Sequence, residues 1–175
     1  MKWWKGNLHT HSLWSDGDTY PEFVAGWYWG HDYNFLAVSD HNVLAEWPRW
    51  KVITETPGGQ ETFDAYVRDF GKSWVETREE NGQVEVRLKT LEEYRSQFEE
   101  PGRFLLIPSE EITDELENKP IHVNAINVKD LIEPQGGETV LDVMQNNVNA
   151  VLEQRRSTDR KILAQLNHPN FGWAV

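Results

Sequence analysis

The chain contains no cysteine among its 175 residues. This absence excludes disulfides and thiolate zinc sites. Any bound metal must therefore be held by histidine, aspartate and glutamate, a donor set that suits Zn, Mn or Fe. Long apolar runs are missing too, and the mean hydropathy is −0.68, so we expect no membrane-spanning segment.

Basic residues are scarce: 17 lysines and arginines stand against 29 acidic residues, for a net charge of −12. No run of Lys or Arg offers a basic stripe, so we expect no binding of long duplex nucleic acid. A small anionic substrate is compatible with this charge, because a bound metal dominates the electrostatics of its own site. The length fits one domain, residues 1–175. The chain leads directly into a predicted strand, which leaves no room for a targeting segment if Met1 is the natural start.

Potential metal ligands are concentrated near the N-terminus. His9 and His11 are separated by one residue in a predicted strand, and alternate residues of a strand point to the same side, so both imidazoles can reach one cation. The sequence Ser15-Asp16-Gly17 is typical of a turn that would fold a carboxylate over the strand end. A second pair of candidates, Asp40 and His41, follows the next apolar run. This combination predicts a metal centre.

The first part of the chain has the pattern of strand, helix and strand. A strand is predicted over residues 6–12. Thr19 and Glu22 have the spacing of a capping box at the start of a helix, and the apolar run Phe35–Val38 is typical of a strand buried on both faces. We therefore expect a unit in which two parallel strands flank one helix.

Residues 43–103 are interpreted as an insertion or lid, because they contain no cluster of metal-type ligands. Apolar residues at helical spacing predict a helix over residues 63–70. Asn81-Gly82 is a hairpin-type turn that precedes alternating apolar residues. Thr90 and Glu93 form a second predicted capping box.

Beyond residue 103, strand-like runs again meet potential ligands. Glu110 and Glu111 follow one such run and are adjacent, so only one of them can point into a site. His122 begins a second run, and His168 follows a third. In parallel α/β folds the carboxyl ends of the strands gather at one rim, where sites are built. We expect these side chains to meet there, whereas His31 closes the first helix and is interpreted as a partner of its dipole.

Together these motifs resemble the PHP phosphoesterases, a family named for polymerase and histidinol phosphatase. The resemblance implies an α/β fold, a distorted seven-stranded β/α (TIM-like) barrel. It also implies two or three divalent metal ions, Zn, Mn or Fe, and the hydrolysis of small phosphorylated substrates. The matching stretches are His9-Thr10-His11, Ser15-Asp16-Gly17, Ser39-Asp40-His41-Asn42, Ser109-Glu110-Glu111-Ile112, His122 and Asn167-His168-Pro169.

The resemblance also implies roles for individual residues. Its pattern places a bridging carboxylate at Glu111 in preference to Glu110, and it places Asp40 outside the ligand set, orienting a neighbouring histidine. The catalytic residues it implies are Asp16, Asp40, His41 and Glu111. The remaining metal ligands fall into three sets: His9 and His11, Asp16 and His41, and His122 and His168.

The chain departs from the family pattern near its C-terminus. The family's barrel usually ends with an Asp-x-His pair on its last strand, and no such pair follows His168. About five barrel strands can be recognised in place of about seven. We therefore expect the barrel to be incomplete at the C-terminus, with residues 1–175 forming the N-terminal part of a longer enzyme.

The reaction that the sequence favours is metal-assisted hydrolysis of phosphate esters. An amidohydrolase-type metallohydrolase is one alternative, because such enzymes also begin with His-x-His, but a bridging lysine would then be expected. A non-catalytic metal-binding module is the other alternative. The early Asp40-His41 pair and the strand-end Glu111 favour the phosphoesterase.

Overall fold

A computed structural model of the chain describes residues 2–168 and contains two separate β-sheets. The larger sheet has five strands in the order β1-β2-β6-β7-β8, and the smaller has three in the order β3-β5-β4. The strands are β1 Gly6–Asn7, β2 Phe35–Val38, β3 Arg49–Val52, β4 Thr77–Glu80, β5 Gln83–Leu88, β6 Leu105–Leu116, β7 Lys119–Ile126 and β8 Leu163–Leu166. The helices are α1 Pro21–Gly30, α2 Gly59–Phe70, α3 Leu91–Phe98 and α4 Val140–Ser157, with a short 3-10 turn at Ile53–Glu55.

Strand direction in the five-stranded sheet decides where the candidate ligands lie. β1, β2 and β6 are parallel, whereas β7 is antiparallel to both β6 and β8. β8 therefore runs in the same direction as β1, β2 and β6. The carboxyl ends of β1, β2 and β8 share one rim, and the first half of β7 lies at that rim because β7 runs the opposite way.

The predicted seven-stranded barrel is wrong for the part of the chain that the structure describes. The larger sheet is a five-stranded mixed sheet, and residues 2–168 contain four α-helices in place of one helix after every strand. The cause lies in the connection between β6 and β7. Glu117 and Asn118 both have positive φ, 51° and 62°, as a tight hairpin of the primed type requires. The chain thus returns antiparallel with no crossover helix, which a β/α barrel would need.

Predictions for the first unit are confirmed in part. Phe35–Val38 is a strand, and it pairs in parallel with β1. The capping box at Thr19 and Glu22 is wrong. The helix begins at Pro21, whose fixed φ suits the first helical position, and its cap residue Tyr20 makes no side-chain cap bond. Glu22 is instead fully buried.

Residues 43–103 contain the whole three-stranded sheet. The predicted turn is confirmed, since Asn81 and Gly82 join β4 to β5 with φ of 52° and 75°. The capping box is confirmed as well: the Thr90 hydroxyl accepts from the Glu93 amide, and the Glu93 carboxylate accepts from the Thr90 amide. Both features depend on residues close together in sequence.

The core of the three-stranded sheet also includes the loop that follows His11. Leu13 and Trp14 are buried in one cluster with Val86 and Leu88 of β5. The Trp14 indole donates to the Lys89 carbonyl at 3.0 Å, which ties the loop to the end of the sheet. The segment 43–103 is therefore packed against the loop that carries the predicted ligand Asp16. Within residues 2–168, no helix has the length and apolar character needed to cross a bilayer.

Candidate metal centre

A single buried carboxylate, that of Glu111, lies at the centre of five imidazole rings. The Glu111 side chain is 1% exposed. Its two oxygens lie within 3.1–3.3 Å of one nitrogen of each ring. On Oε2 the neighbours are His9 Nε2 at 3.3 Å, His11 Nε2 at 3.1 Å and His41 Nδ1 at 3.3 Å; on Oε1 they are His122 Nδ1 at 3.1 Å and His168 Nε2 at 3.3 Å.

The rim of the five-stranded sheet brings these side chains together. A bridge between His41 and Glu111 extends the parallel pairing of β2 and β6 beyond the end of β2. His122 is opposite Thr113 on the antiparallel neighbour, two pairs from that bridge. The amide of Asn167 donates to the His122 carbonyl at 3.1 Å, so the residue after β8 joins the same rim.

A second carboxylate, Asp16, approaches the same histidines from the solvent side. Asp16 Oδ1 lies 3.0 Å from His11 Nδ1, and Asp16 Oδ2 lies 3.5 Å from His41 Nε2. The Asp16 side chain is 70% exposed, in contrast to that of Glu111. His11 and His41 therefore lie between two carboxylates, one buried and one open to solvent.

Among residues 2–168, three overlapping groups of side chains could each hold a metal ion, and within each group the ligand atoms all lie within 4.8 Å of one another. Glu111 belongs to two of the groups, and His41 also belongs to two. The pairing differs from the one that the family resemblance implies, because His9 is grouped with His168 and not with His11. The groups are His9, Glu111 and His168; His11, Asp16 and His41; and His41, Glu111 and His122.

The side-chain contacts of Glu111 fit a cation better than they fit hydrogen bonding alone. Glu111 Oε2 is buried and has no partner with hydrogen-bond geometry, although three imidazole nitrogens lie close to it. His9 Nε2 and His11 Nε2 also face each other at 3.1 Å. His9 Nε2 and His11 Nε2 cannot both donate to Glu111 Oε2 without pointing N–H groups at each other, and if either is unprotonated it points a lone pair at the carboxylate. A cation between these atoms would satisfy all of them, and imidazole with carboxylate is a donor set for Zn, Mn or Fe.

The environment shifts the pKa values of the cluster in both directions. Burial would raise the pKa of Glu111, but the surrounding His11, His122 and His9 and the amide of Asn167 hold it well below the ordinary range. Burial lowers the pKa of His41. The same effect on His11 is outweighed by the Glu111 and Asp16 carboxylates, which raise the pKa of that imidazole.

Three polar residues to which the sequence analysis assigned no role form hydrogen bonds that hold the cluster in place. The side-chain amide of Asn167 donates to Glu111 Oε1 at 2.8 Å and to Asn124 Oδ1 at 2.7 Å. The side-chain amide of Asn124 donates in turn to the Leu8 carbonyl at 2.8 Å. The Thr113 hydroxyl lies 2.5 Å from His41 Nδ1. Two of these residues could have been found from the sequence. Asn124 is two residues from His122 on the same strand and so lies on the same face, and Asn167 directly precedes His168. Pro169, the last residue of that motif, lies outside the described residues.

Asp40 supports the site through the loop beside it, and in the part of the chain that the structure describes no hydrogen bond or ion pair joins its carboxylate to a candidate ligand. Its carboxylate accepts hydrogen bonds of 2.7–3.1 Å from the amides and hydroxyls of Ser12 and Ser15. Burial raises the pKa of Asp40, although the Ser15 hydroxyl and the Ser12 amide and hydroxyl oppose the shift. Its hydrogen bonds are made to the loop between His11 and Asp16, so Asp40 fixes the position of that loop.

Glu110 and His31 lie apart from the cluster. Glu110 points to the other side of β6, where its carboxylate accepts from the Ile132 amide at 2.8 Å, and burial raises its pKa to about 8. His31 Nδ1 lies 2.6 Å from the Trp27 carbonyl at the end of α1, and its ring stacks on the Trp27 indole. Of the two adjacent glutamates, the one that reaches the histidines is therefore Glu111.

Comparisons with known proteins identify no relative: no family model matches the chain, and no curated protein matches it. The resemblance to the PHP phosphoesterases therefore depends on the sequence motifs and stays a prediction.

Proposed function

We propose that this protein is a metal-dependent hydrolase of phosphate esters, of the PHP type in its ligand motifs. The observation that carries the proposal is the buried Glu111 carboxylate, which has five imidazole nitrogens within 3.3 Å. A carboxylate in this position can bridge two ions, with its two oxygens facing different histidine sets. The motifs that supply these residues occur in the order typical of the PHP phosphoesterases.

Each residue of the cluster has a defined part in this proposal. The histidines and Glu111 would hold two or three divalent ions, and Asp16 would complete the set from the solvent side. Such ions supply Lewis acidity that lowers the pKa of a bound water from about 15.7 toward about 7. Asn167 and Thr113 orient Glu111 and His41 through the contacts given above. Asp40 holds the Ser12–Ser15 turn, which fixes where Asp16 enters the site.

Hydrolysis of phosphate esters is favoured over amidohydrolase-type chemistry by the identity of the shared ligand. In the amidohydrolase alternative a lysine would bridge the ions. Glu111 occupies the centre of this cluster, and in residues 2–168 no hydrogen bond or ion pair joins a lysine to it. A non-catalytic metal-binding module shares the same ligands, so metal content together with turnover is the property that separates it from an enzyme.

Elemental analysis paired with three model substrates tests the proposal. Zn, Mn and Fe are counted per purified chain, and hydrolysis of p-nitrophenyl phosphate, bis-p-nitrophenyl phosphate and a p-nitroanilide amide is measured before and after each metal is added back. We expect at least two ions per chain and turnover of a phosphate ester. Turnover of the amide alone would assign the amidohydrolase alternative. Metal without turnover of any substrate would assign the non-catalytic module.

A further inference from the structure

The three-stranded sheet places two basic side chains on the face that packs against the metal-site loop. Residues directly opposite each other on antiparallel strands share a face of the sheet. Arg49 of β3 is opposite Leu88, and Lys51 is opposite Val86. Val86 and Leu88 are both fully buried in the cluster that contains Trp14, so Arg49 and Lys51 lie on this inner face.

Basic residues on the opposite face of the same sheet are neutralised by carboxylates. Arg78 pairs with Glu85 at 2.6 Å, and its guanidinium lies 4.5 Å from the centroid of the Trp50 ring. Arg87, which is opposite Trp50 in the sheet, binds Glu76 at 2.5 Å and Glu93 at 2.6 Å. The outer face is thus a set of ion pairs.

The inner-face cations have no such partners. Within residues 2–168, no ion pair and no hydrogen bond to a carboxylate reaches Arg49 or Lys51, although the chain has 29 acidic residues. Both side chains are partly buried. Two like charges on alternate residues of one strand repel each other, and burial increases the cost of leaving them unneutralised.

The surroundings of Arg49 and Lys51 include the loop that carries Asp16. The Arg49 guanidinium lies 5.9 Å from the centroid of the Trp14 ring, two residues from Asp16. Burial and the charge of Arg49 lower the pKa of Lys51, and the carboxylate that opposes this shift is Asp40, the residue that holds the metal-site loop. The two cations thus lie on the side of the sheet that packs against the loop between His11 and Asp16.

We propose that Arg49 and Lys51 form an anion-binding subsite that selects substrates with a dianionic phosphate group. A guanidinium and an ammonium are the usual donors to phosphate oxygens, and a bound dianion would remove their mutual repulsion. The inference rests on the proposed function, because it names the substrate class of that site as phosphomonoesters. It also gives residues 43–103 a role in substrate binding, in addition to covering the loop.

The test compares Arg49→Gln and Lys51→Gln with the matched control Arg78→Gln on the outer face. Binding of inorganic phosphate to the zinc-loaded protein is measured by calorimetry, which requires no turnover. KM and kcat are measured for p-nitrophenyl phosphate, a dianion at pH 8, and for the monoanionic bis-p-nitrophenyl phosphate. Thermal unfolding of each variant monitors folding, and loss of unpaired cations should leave Tm unchanged or higher.

We expect each inner-face variant to weaken phosphate binding by about 10- to 100-fold, the equivalent of one charge-assisted hydrogen bond. KM for the monoester should rise by a similar factor with a smaller change in kcat, whereas the diester and the Arg78→Gln control should change by less than about threefold. Unchanged phosphate affinity in both inner-face variants would overturn the subsite, and so would an equal loss in the control.

The two proposals fail in distinguishable ways. Phosphate binding that depends on Arg49 and Lys51, without hydrolysis of any ester, would support the subsite and contradict the phosphoesterase. Ester hydrolysis with KM values that do not depend on these residues would overturn the subsite and leave the phosphoesterase standing.

Discussion

Two buried carboxylates, in two regions of the molecule, have opposite surroundings. Glu111, at the rim of the five-stranded sheet, is enclosed by imidazoles, and its pKa is held far below the ordinary range despite burial. Glu22, in the core beneath the three-stranded sheet, accepts from the Tyr66 hydroxyl at 2.5 Å and from the Trp74 indole at 2.7 Å, and burial raises its pKa. Both are fully buried, so burial alone does not explain the difference.

The difference lies in the charge that each set of neighbours can carry. Tyr66 and Trp74 donate neutral hydrogen bonds to Glu22, which satisfy one carboxylate oxygen but do not neutralise it. The imidazoles around Glu111 can accept protons or bind cations, so they stabilise the charged form. We therefore interpret Glu22, whose neighbours are neutral donors, as structural, and the proposed function is assigned to Glu111, whose neighbours are metal-type ligands.

The largest expected effect follows from Glu111→Gln. An amide cannot bridge two cations as a carboxylate does, so we expect metal content to fall below one ion per chain. Phosphoesterase activity should fall by more than about 100-fold, since loss of an outer partner of a ligand already costs about 10- to 100-fold. The measurements are elemental analysis and turnover. Glu110→Gln is the matched control and should retain its metal; the reverse result would make Glu110 the bridging residue.

The next test compares a histidine of the cluster, His11, with His31 at the end of α1. His11→Ala removes a ring that contacts both Glu111 and Asp16, so metal-dependent activity should fall by at least about tenfold while the protein remains folded. His31→Ala removes a ring that is stacked at the end of α1, and activity should stay within about twofold. Turnover and circular dichroism of both variants check this. Equal activity in the two variants would contradict the assignment of His11 to the centre.

Removal of bound metal should lower the free energy of unfolding through the loss of contacts at the rim of the five-stranded sheet, and not through the core around Glu22. Ions present at about 100 to 1,000 times their Kd stabilise a native state by about 2.7–4.1 kcal/mol. For a chain of this size that corresponds to a fall in Tm of about 5–15 °C on chelation. Calorimetry with and without chelator measures it. Glu111→Gln should show no such fall, whereas Glu22→Gln should show the same fall as the unchanged protein.

The smallest effect concerns Glu22→Gln and the pH dependence of stability. Because the pKa of Glu22 is raised above the ordinary value of 4.5 for a glutamate, the native state binds the proton more tightly than the unfolded state. Its contribution to stability is therefore full below that value and is lost as the pH rises. Glutamine can accept from Tyr66 and Trp74 without carrying a charge. The variant should gain free energy of unfolding relative to the wild type between pH 5 and 8.

Denaturant unfolding across that pH range, on metal-free protein, measures the difference between the two curves. If the free energies of unfolding of the variant and the wild type differ by the same amount at all pH values, Glu22 has the same pKa in the native and unfolded states. That result would contradict the contrast drawn between Glu22 and Glu111.

Features encoded within a few residues were predictable. The capping box at Thr90 and Glu93 and the turn at Asn81-Gly82 use hydrogen bonds and backbone angles that neighbouring residues supply themselves. The capping box at Thr19 failed for an equally local reason, because Pro21 starts the helix one position later than the pattern assumes. Prediction of the barrel failed at Glu117 and Asn118, where two residues set the direction of β7 and with it the topology of the sheet.

The sequence by itself determined which residue types could form a metal site and that their motifs would lie at strand ends, since alternation and turn chemistry are local properties. Tertiary structure decided which side chains meet. His122 reaches the rim because β7 is antiparallel, and Glu111 and not Glu110 faces the histidines because of the side of β6 on which it lies. Arg49 has no carboxylate partner among residues 2–168 because of the face of β3 that it occupies. The hairpin at Glu117 and Asn118 reverses β7, but strand pairing and the face of each strand that is buried depend on contacts between residues far apart in the chain, which no local pattern specifies.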